Sequence, residues 1–568
     1  MLGVSWSCKI TNLNQNLLSL IEKCKSMLEL KQLHAVVISF GLSQDDPFIS
    51  KILCFSALSS SGDINYSYRV FSQLSSPTIF NWNTIIRGYS NSKIPVNSLS
   101  IFLKMLRLGV APDYFTYPFL VKASARLLNQ EIGVSVHAHI IQTGHESDIF
   151  IQNSLVHMYA SCGNIMWAQK VFDSIQGKNL VSWNSMLDGY AKCGEMVTAQ
   201  KIFDSMSEKD VRSWSSLIDG YVKAGEYGEA MSIFEKMRAV GPKANEVTMV
   251  SVSCACAHLG ALEKGKMIHK YIVDCGLPLT LVLQTSIVDM YAKCGAIEEA
   301  LLVFRGVSKS QTDVLIWNAM IGGLATHGLV EESLKLFKEM QTVGIRPDEV
   351  TYLCLLAACA HGGLVKEAWY FFESLNKRGM TPTIEHYACM VDVLARADQL
   401  TSAYQFICRM PIEPTAAMLG ALLSGCINHR NLALAETVGK KLIELEPNHD
   451  GRYIGLSNVY AVDKRWDDAR SLRETMDRRG VKKSPGFSFV EISGVLHRFI
   501  AHDKTHPDSE ETYCMLNFVF RQMKFSWYKD REKSLKDTSM GDRDTSGAMK
   551  SRKGGNHKRM RLEINLPR

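Results

Sequence analysis

Six pairs of short polar side chains recur along the chain, and their hydrogen-bonding groups could recognise a polar ligand. In each pair an Asn, Ser or Thr is followed 26 to 30 residues later by an Asp or Asn. Taken singly, such a residue beside a helix start is more often a helix cap, so the ligand-binding interpretation depends on all six pairs falling on one repeat lattice. The pairs are Asn83/Asp113, Asn153/Asn179, Asn184/Asp210, Ser215/Asn245, Thr285/Asp313 and Asn318/Asp348.

Catalytic and metal-binding patterns are missing from the sequence. A zinc-dependent deaminase needs an H-x-E motif and a C-x-x-C pair, and the chain has neither. P-loop, G-x-S-x-G and dinucleotide-binding glycine patterns do not occur either. The 15 cysteines show no disulfide framework, and Cys254 and Cys256 are too close for a zinc knuckle. We therefore predict no catalytic residue, no metal site and no cofactor, and reduced thiols.

An internal repeat underlies the spacing of the polar pairs. Trp183 and Trp214 are 31 residues apart, and the intervals to Trp82 and Trp317 fit steps of 31 to 35 residues. The hexapeptide MYASCG at 158–163 returns as MYAKCG at 290–295. A period of this length is typical of small supersecondary units that stack on one another. The chain can therefore reach 568 residues without one large globular core.

Each unit has the pattern of two amphipathic helices. In the unit 211–245, apolar residues recur at i, i+3, i+4 and i+7, then a glycine ends the first helix, and a second helix follows. Glycine followed by alanine five residues later marks five such turns: Gly163/Ala168, Gly194/Ala199, Gly225/Ala230, Gly295/Ala300 and Gly363/Ala368. We expect an all-α, right-handed superhelical solenoid of helix-turn-helix repeats of 31–35 residues, with the first helices lining a concave groove.

Some recurring side chains are better explained by packing than by ligand binding. We predict that Trp82, Trp183, Trp214 and Trp317 are core residues, and that His34, His137 and His269 are packing histidines with satisfied hydrogen bonds.

The repeat registers divide most of the chain. Degenerate units span about 11–46 and 47–78, and the regular units are 79–113, 114–148, 149–179, 180–210, 211–245, 246–280, 281–313, 314–348, 349–383 and 384–415. Two further helical hairpins fit 416–449 and 450–483. A break at 484–486 precedes a strand pattern at 487–492, whose predicted partner is 497–499. Residues 1–10 are a candidate targeting segment, and 525–568 have the composition of a disordered tail.

The charge distribution and the hydropathy of the chain restrict which classes of partner it can bind. The net charge is +7, but residues 529–568 hold twelve Lys/Arg against six Asp/Glu, so the body carries only about +1. A nucleic-acid groove must therefore come from charge placed on one face. No run of about eighteen apolar residues exists, so we predict no membrane partner.

The quoted residues resemble the pentatricopeptide repeat family, in its plant form with alternating P, L and S repeats. Residues 81–89 (NWNTIIRGY) and 344–348 (GIRPD) are similar to P repeats, 259–269 (LGALEKGKMIH) to L repeats, and 289–295 (DMYAKCG) to S repeats. The resemblance implies a repeat array over 11–415, an E domain over 416–483 and an E+ extension over 484–524.

The resemblance also implies sequence-specific binding of single-stranded organellar RNA, with one base recognised per repeat. Family members recognise the base with the fifth and the last residue of each repeat, and these are the six pairs above. They imply the order 5′-U-n-C-U-A-n-G-U-n-n-3′, with U for Asn83, Asn184 and Asn318, C for Asn153, A for Ser215 and G for Thr285. Pairs with weak or undefined base choice are Lys51/Thr78, Pro118/Asp148, Val250/Thr280, Leu353/Thr383 and Ala388/Thr415.

The function implied is selection of a site for cytidine-to-uridine editing in mitochondria or, alternatively, chloroplasts. Because this chain lacks a deaminase motif, the resemblance implies that 416–524 recruit a DYW-type cytidine deaminase protein in trans. Small multiple-organelle editing factors are the other implied partners. Two alternatives remain open at this stage: a factor for splicing, stability or translation of an organellar RNA, and a protein–protein scaffold.

Overall fold

The computed structural model describes residues 14–483, 486–492, 495–500, 503–505 and 507–523. The predicted targeting segment 1–10 and the predicted tail 525–568 lie outside these residues. The chain divides into two compact units. The first contains all the helices up to residue 483, and the second contains the last helix and most of a short β-hairpin.

Antiparallel helical hairpins build residues 14–483 of the first unit, and each begins with a helix that we call the first helix. The first helices are α1 (14–22), α3 (Asp46–Leu58), α5 (Ile79–Asn91), α7 (Thr116–Leu127), α9 (Ile149–Ser161), α11 (Leu180–Lys192), α13 (Val211–Lys223), α15 (Glu246–Leu259), α17 (Leu281–Lys293), α19 (Val314–Thr326), α21 (Glu349–Gly362), α23 (Ile384–Arg396), α25 (Ala416–Asn428) and α27 (Asp450–Val462). Most of them are 13 residues long, which is about three and a half turns.

The second helix of each hairpin follows after a short turn. These helices are α2 (Met27–Ser39), α4 (Ile64–Ser72), α6 (Val96–Arg107), α8 (Gln130–Gln142), α10 (Ile165–Ser174), α12 (Met196–Ser205), α14 (Tyr227–Val240), α16 (Leu262–Asp274), α18 (Ile297–Gly306), α20 (Val330–Thr342), α22 (Val365–Lys377), α24 (Leu400–Arg409), α26 (Leu432–Leu445) and α28 (Trp466–Arg478). A 3₁₀ turn at Lys309–Gln311 lies between α18 and α19. Within the described residues, no helix combines the length and the apolar character needed to span a bilayer.

The hairpins stack into two layers. First helices from α3 to α25 pack each against the next in an unbroken row, and each second helix from α4 to α26 packs against its own first helix and the following one. Beyond α25 the arrangement changes, because α27 packs against α28 and α26 and has at most weak contact with α25. The predicted all-α solenoid of helix-turn-helix repeats is confirmed.

The turn between the two helices has the predicted glycine and alanine. The five glycines take φ angles between 66° and 87°, a left-handed conformation that costs a residue with a side chain more than it costs glycine. The five alanines that follow are fully buried in the second helices. Local backbone chemistry thus ends the first helix, and a small side chain allows the close hairpin.

Aromatic side chains fill the space between successive hairpins. Trp82, Trp214 and Trp317 are buried, as predicted for core residues, whereas Trp183 is half-buried. Each packs edge-on against a phenylalanine of the preceding second helix, with ring centroids 4.7 to 5.1 Å apart. These contacts join the apolar cores of consecutive repeats at four places along the solenoid.

The recurring histidines are satisfied packing residues, as predicted. A tyrosine hydroxyl lies 2.7 to 3.0 Å from the Nδ1 atom in each of the pairs His34/Tyr66, His137/Tyr159 and His269/Tyr291. Burial lowers the pKa of all three imidazoles, so they are neutral at pH 7.

The second unit holds the predicted strand pattern. Strands β1 (Phe487–Ile492) and β2 (Val495–Ile500) form a two-stranded sheet, which confirms the predicted strand and its partner. Across it, the Arg498 guanidinium lies 4.6 Å from the centre of the Phe487 ring. A helix at 509–523, α29, follows and carries several exposed apolar side chains, among them Phe518 and Phe520.

Candidate nucleic-acid interface

The last residue of each paired repeat lies at the start of the next first helix. Asn179, Asp210, Asn245, Asp313 and Asp348 are the N-caps of their helices, with side chains that accept hydrogen bonds from backbone N–H groups. Asp113 does the same for the amides of Phe115 and Thr116, at 3.1 and 3.0 Å. The capping interpretation is therefore correct for the last residues, but it does not describe all of their contacts.

The fifth residue of the repeat bonds to the last residue across the boundary between two hairpins. In the repeat 314–348, the Asn318 side chain is 5% exposed, and its Nδ2 donates to Asp348 Oδ1 at 2.9 Å. A third residue completes the arrangement, because the Thr351 hydroxyl lies 2.7 Å from Asn318 Oδ1 and 2.9 Å from Asp348 Oδ1. Three side chains from two repeats thus form one hydrogen-bonded triad.

Two other repeats repeat this triad. Asn184, Asp210 and Ser213 are joined by hydrogen bonds of 2.7 to 3.1 Å. Asn83, Asp113 and Thr116 are joined by hydrogen bonds of 2.7 to 2.9 Å. The hydroxyl residue in all three cases is three residues beyond the last residue of the pair and is fully buried.

Ser215 and Asn153 make partial versions of the triad. The Ser215 hydroxyl lies 3.3 Å from Asn245 Oδ1 and 2.7 Å from the Thr248 hydroxyl. Asn153 Nδ2 donates to Asn179 Oδ1 at 3.4 Å, a longer contact than in the three full triads.

Thr285 and Asp313 are the pair that the structure does not join by a hydrogen bond in the described residues. The Thr285 hydroxyl donates to the backbone carbonyl of Leu281 at 2.8 Å, and Asp313 serves only as the N-cap of α19. The residue at the hydroxyl position here is Ile316, which cannot bridge the two side chains.

Hydrogen bonds to the carboxylates hold them in the charged form. Burial alone raises the pKa of Asp348, but bonds from Asn318 and Thr351 outweigh it and lower the pKa below its ordinary value. The Asp210 carboxyl also has a lowered pKa, because bonds from the next helix and from Asn184 exceed the effect of burial. Both side chains are therefore acceptors at neutral pH, which fixes the amide nitrogen of each asparagine toward them.

The structure corrects the register of the first paired unit. The helix α3 begins at Asp46, so the fifth residue is Ser50 and not Lys51, and the unit begins one residue earlier than the predicted 47. Ser50 has the equivalent contact, with its hydroxyl 2.9 Å from Asn81 Oδ1. Lys51 instead pairs with Glu22 at 2.6 Å. The row of polar fifth residues therefore begins one repeat earlier than predicted.

Exposed apolar side chains alternate with the polar pairs. They are the second residues of first helices, and they remain 49 to 70% exposed although they are large and hydrophobic: Phe80, Phe150, Val181, Val247, Val282, Leu315 and Val350. Arg212 holds the equivalent position in α13. A row of solvent-exposed apolar groups at one position of each repeat is the kind of surface that binds a ligand.

Three cavities bring the polar and apolar residues together. One of about 390 Å³ is lined by Asn83, Asp113 and Phe80, with Arg87 beside them. One of about 590 Å³ is lined by Asn153, Asn179, Asn184, Phe150, Val181 and Arg212. One of about 620 Å³ is lined by Thr285, Asn318, Val282, Leu315 and Val350. The first helices thus line cavities in which polar and apolar side chains lie side by side.

The L-type repeats contribute apolar side chains to the same cavities. Pro118 lines the second cavity, and Val250 and Leu353 line the third. Their fifth residues offer no hydrogen-bonding side chain.

Basic residues lie at the far end of several first helices, each tied to a carboxylate one turn earlier. The ion pairs are Lys192–Asp188, Lys223–Asp219, Lys293–Asp289 and Arg396–Asp392, at 2.6 to 2.8 Å. Lys293 and Asp289 line the same cavity as Thr285 and Asn318. The positive charge of Lys293 in this cavity is therefore paired with a carboxylate. Within the described part of the chain, no cluster of three potential metal ligands occurs.

Comparison with known proteins identifies the family. The PPR repeat model matches residues 80–110, 153–180, 181–211, 212–241, 285–310 and 350–380, and the PPR repeat family model matches 312–361. A pentatricopeptide repeat-containing protein of Arabidopsis thaliana is 63% identical over 498 residues, which cover 88% of this chain and 93% of that protein. The chain belongs to the pentatricopeptide repeat family.

Further comparisons extend this assignment to the C-terminal region. An E motif model matches residues 429–491 of this pentatricopeptide repeat protein, within the predicted E domain and the start of the E+ extension. Two other Arabidopsis thaliana relatives carry an organelle in their names. One, named mitochondrial, is 35% identical and covers 90% of this chain and 91% of its own length. The other, named chloroplastic, is 42% identical and covers 88% and 89%.

Solved structures of a pentatricopeptide repeat protein show partial similarity to this chain. The pentatricopeptide repeat protein PPR10 from maize is 18% identical, covers 80% of this chain and 69% of its own, and gives a TM-score of 0.42. The same protein in complex with an 18-nt psaJ RNA element gives a TM-score of 0.34 at 16% identity, and covers 84% and 89%.

Two parts of the site are missing from the sequence-based prediction. One is the buried hydroxyl of Thr116, Ser213 and Thr351, which the D-x-x-S/T spacing of a capping box would have indicated. The other is the row of apolar second residues, whose exposure is visible only once the helix faces are known, because Val and Phe in a helix usually indicate a core position.

Proposed function

We propose that this pentatricopeptide repeat protein binds single-stranded RNA sequence-specifically and selects a site for cytidine-to-uridine editing. The observation that carries the proposal is the series of polar pairs that bridge neighbouring repeats, separated by exposed apolar side chains in the same cavities. A protein that recognises extended, unstacked bases needs these two elements in alternation, because a base has a polar edge and an apolar face.

Each element has a defined task in this proposal. The amide or hydroxyl at the fifth residue hydrogen-bonds the edge of one base, and the last residue orients that group. The apolar second residues pack against base faces, and Arg212 does so with its planar guanidinium. Lys192, Lys223 and Lys293 contact phosphates, which adds affinity without sequence preference.

The editing role is supported by the E motif match at 429–491. Since the chain carries no H-x-E and C-x-x-C deaminase pattern, the proposed mechanism recruits a DYW-type cytidine deaminase protein in trans through 416–524, and catalysis belongs to that partner. Small multiple-organelle editing factors are further proposed partners. Relatives named mitochondrial and chloroplastic support an organellar location, of which we propose the mitochondrion.

A binding experiment tests RNA recognition. The full chain is titrated at one fixed salt concentration with an RNA containing U-n-C-U-A-n-G-U and with a scrambled RNA of the same composition, because phosphate contacts alone bind both. We expect clear preference for the designed RNA. Equal binding of the two would refute the assigned base order, and absence of binding would refute the RNA-binding function.

A substitution and a truncation test the finer claims. Asn318→Thr is expected to shift the preference at its base from U toward G by about 1–3 kcal/mol, because the asparagine amide is lost. Removal of 416–524 is expected to abolish editing in an organellar extract and to leave RNA binding intact. Full editing by the truncated chain would exclude recruitment through this region.

A further inference from the structure

The side-chain amide of asparagine offers two opposite groups, and the structure shows that the repeats use them differently. The amide carries one carbonyl acceptor and an NH₂ group with two donors. At the ring position where the two pyrimidines differ, uracil presents a carbonyl and cytosine an amino group. An asparagine that presents its N–H therefore favours uracil, and one that presents its Oδ1 favours cytosine.

In the three full triads the carbonyl end of the amide is already occupied. Asn318 Oδ1 accepts from the Thr351 hydroxyl at 2.7 Å, and one Nδ2 hydrogen is donated to Asp348. The amide cannot rotate by half a turn, because Oδ1 would then face a carboxylate whose pKa is lowered and which is therefore charged. The second Nδ2 hydrogen is the group that remains for a ligand.

Asn153 also directs Nδ2 toward the last residue of its repeat, but its carbonyl end is not occupied. Its side chain is 6% exposed, and its Oδ1 is buried without a hydrogen-bond partner among the described residues. The hydroxyl at the equivalent position, Ser182, bonds Asn179 Oδ1 at 3.0 Å and makes no such bond to Asn153. A buried carbonyl that lacks a donor carries an energetic cost, which a donor on the ligand would remove.

We propose that the hydroxyl three residues beyond the last residue is a positioning residue that decides which end of the asparagine amide is offered to the RNA base. Where it reaches Oδ1, as Thr116, Ser213 and Thr351 do, the amide offers N–H and the repeat favours uracil. Where it does not, as at Ser182, the amide offers its carbonyl and the repeat favours cytosine. This inference depends on the proposed RNA-binding function and adds a third residue to base selection.

The test removes the hydroxyl and keeps the shape. The full chain, its Thr351→Val variant and its Thr351→Ser variant are each titrated with two RNAs that differ only in U or C at the base assigned to Asn318. We expect Thr351→Val to reduce the preference for U over C by about 5- to 10-fold, because Oδ1 is freed to accept from cytosine. Thr351→Ser restores the hydroxyl and is expected to retain the wild-type preference.

Two further variants separate positioning from stability. Ser213→Ala removes the hydroxyl from the Asn184 triad, so the same shift is expected there even if Thr351→Val does not fold. Ser333→Ala removes a buried hydroxyl of the same repeat that donates to the Ile321 carbonyl at 3.1 Å, outside the triad, and no base preference is expected to change. Thermal unfolding of each variant shows whether the fold is intact.

The outcomes distinguish the two levels of the proposal. An unchanged U/C preference in a folded Thr351→Val or Ser213→Ala chain overturns the positioning role and leaves RNA recognition standing. Failure of the wild-type chain to distinguish U from C at both bases overturns the positioning role together with the assigned base code. A shift in both variants with rescue by serine supports it.

Discussion

The adjacent repeats 281–313 and 314–348 have the same helical-hairpin fold, but their polar pairs make different hydrogen bonds. In the second repeat, Asn318 and Asp348 are locked together by Thr351. In the first, Thr285 bonds its own helix and Asp313 only caps the next one. One residue accounts for much of the difference, since Ile316 occupies the place of the bridging hydroxyl. A shared repeat position therefore does not guarantee a shared hydrogen-bond geometry.

The largest expected difference between these repeats is the stability lost when the fourth residue of the first helix is replaced. Trp317 is 1% exposed and packs edge-on against Phe304 of the preceding hairpin at 4.9 Å, whereas its counterpart Gln284 is only partly buried. We expect Trp317→Ala to lower the free energy of unfolding by about 3–5 kcal/mol and Gln284→Ala by less than about 1 kcal/mol. Denaturant titrations of the two variants check this, and equal losses would contradict it.

The two aspartates give the next contrast. Asp348→Ala and Asp313→Ala each remove a helix cap and are expected to cost about 1 kcal/mol of stability. Asp348→Ala also frees the Asn318 amide, so we expect the preference for U at the base assigned to Asn318 to fall about tenfold. For Asp313→Ala we expect the preference for G at the base assigned to Thr285 to fall about two- to threefold. Binding titrations with RNAs altered at one base measure both. A larger loss for Asp313→Ala would show that the triad does not order the base-recognition groups.

Installing the missing hydroxyl should make the repeats more alike. Ile316→Thr places a hydroxyl between Thr285 and Asp313, and we expect the preference for G at that base to rise about threefold. The fully buried Ile316 loses apolar volume, so a stability cost of about 1 kcal/mol accompanies the change. Ile316→Val is the matched control, because it removes a methylene group without adding a hydroxyl. A similar gain with valine would exclude the hydroxyl as its cause.

The smallest expected effect is the pH dependence of the Asp348 cap. Its pKa is lowered in the folded chain, so its stabilisation is fully present above the unfolded value of about 3.9 and is lost as the pH falls through the folded pKa. The stability difference between the wild type and Asp348→Asn should stay constant between about pH 7 and 5 and narrow below about pH 4. Unfolding midpoints across this range test it, and a difference that narrows already at pH 6 would contradict it.

The repeat pattern was sufficient to predict the architecture. The architecture follows from local features: the tryptophan spacing, the glycine that ends each first helix and the alanine that follows it. Because these features depend on residues close in sequence, they recur wherever the sequence repeats. The strand at 487–492 was predictable for the same reason, since its alternation is a property of consecutive residues.

The site was predictable in part. The fifth and last residues follow from the register, but the single-residue error at Ser50 shows how the register fails where the repeat is degenerate. The hydrogen-bond partner of each fifth residue lies about 30 residues away, on the next repeat, so no local pattern shows which pairs meet. Thr285 and Asn318 differ in their own side chains and also in the residue of the following repeat, Ile316 or Thr351, that faces each pair.

The triad crosses the boundary between two hairpins, and this has a consequence for how such proteins can be recombined. A unit transplanted as 314–348 would leave Thr351 behind, so its Asn318 would meet whatever residue the recipient supplies at that place. Cassettes cut three residues later, after the hydroxyl, keep donor and acceptor in one fragment. When such arrays are recombined, by protein engineering or by gene duplication, each transferred segment should therefore include the first three residues of the next repeat. A single repeat cut at its own boundary is not a self-contained recognition unit.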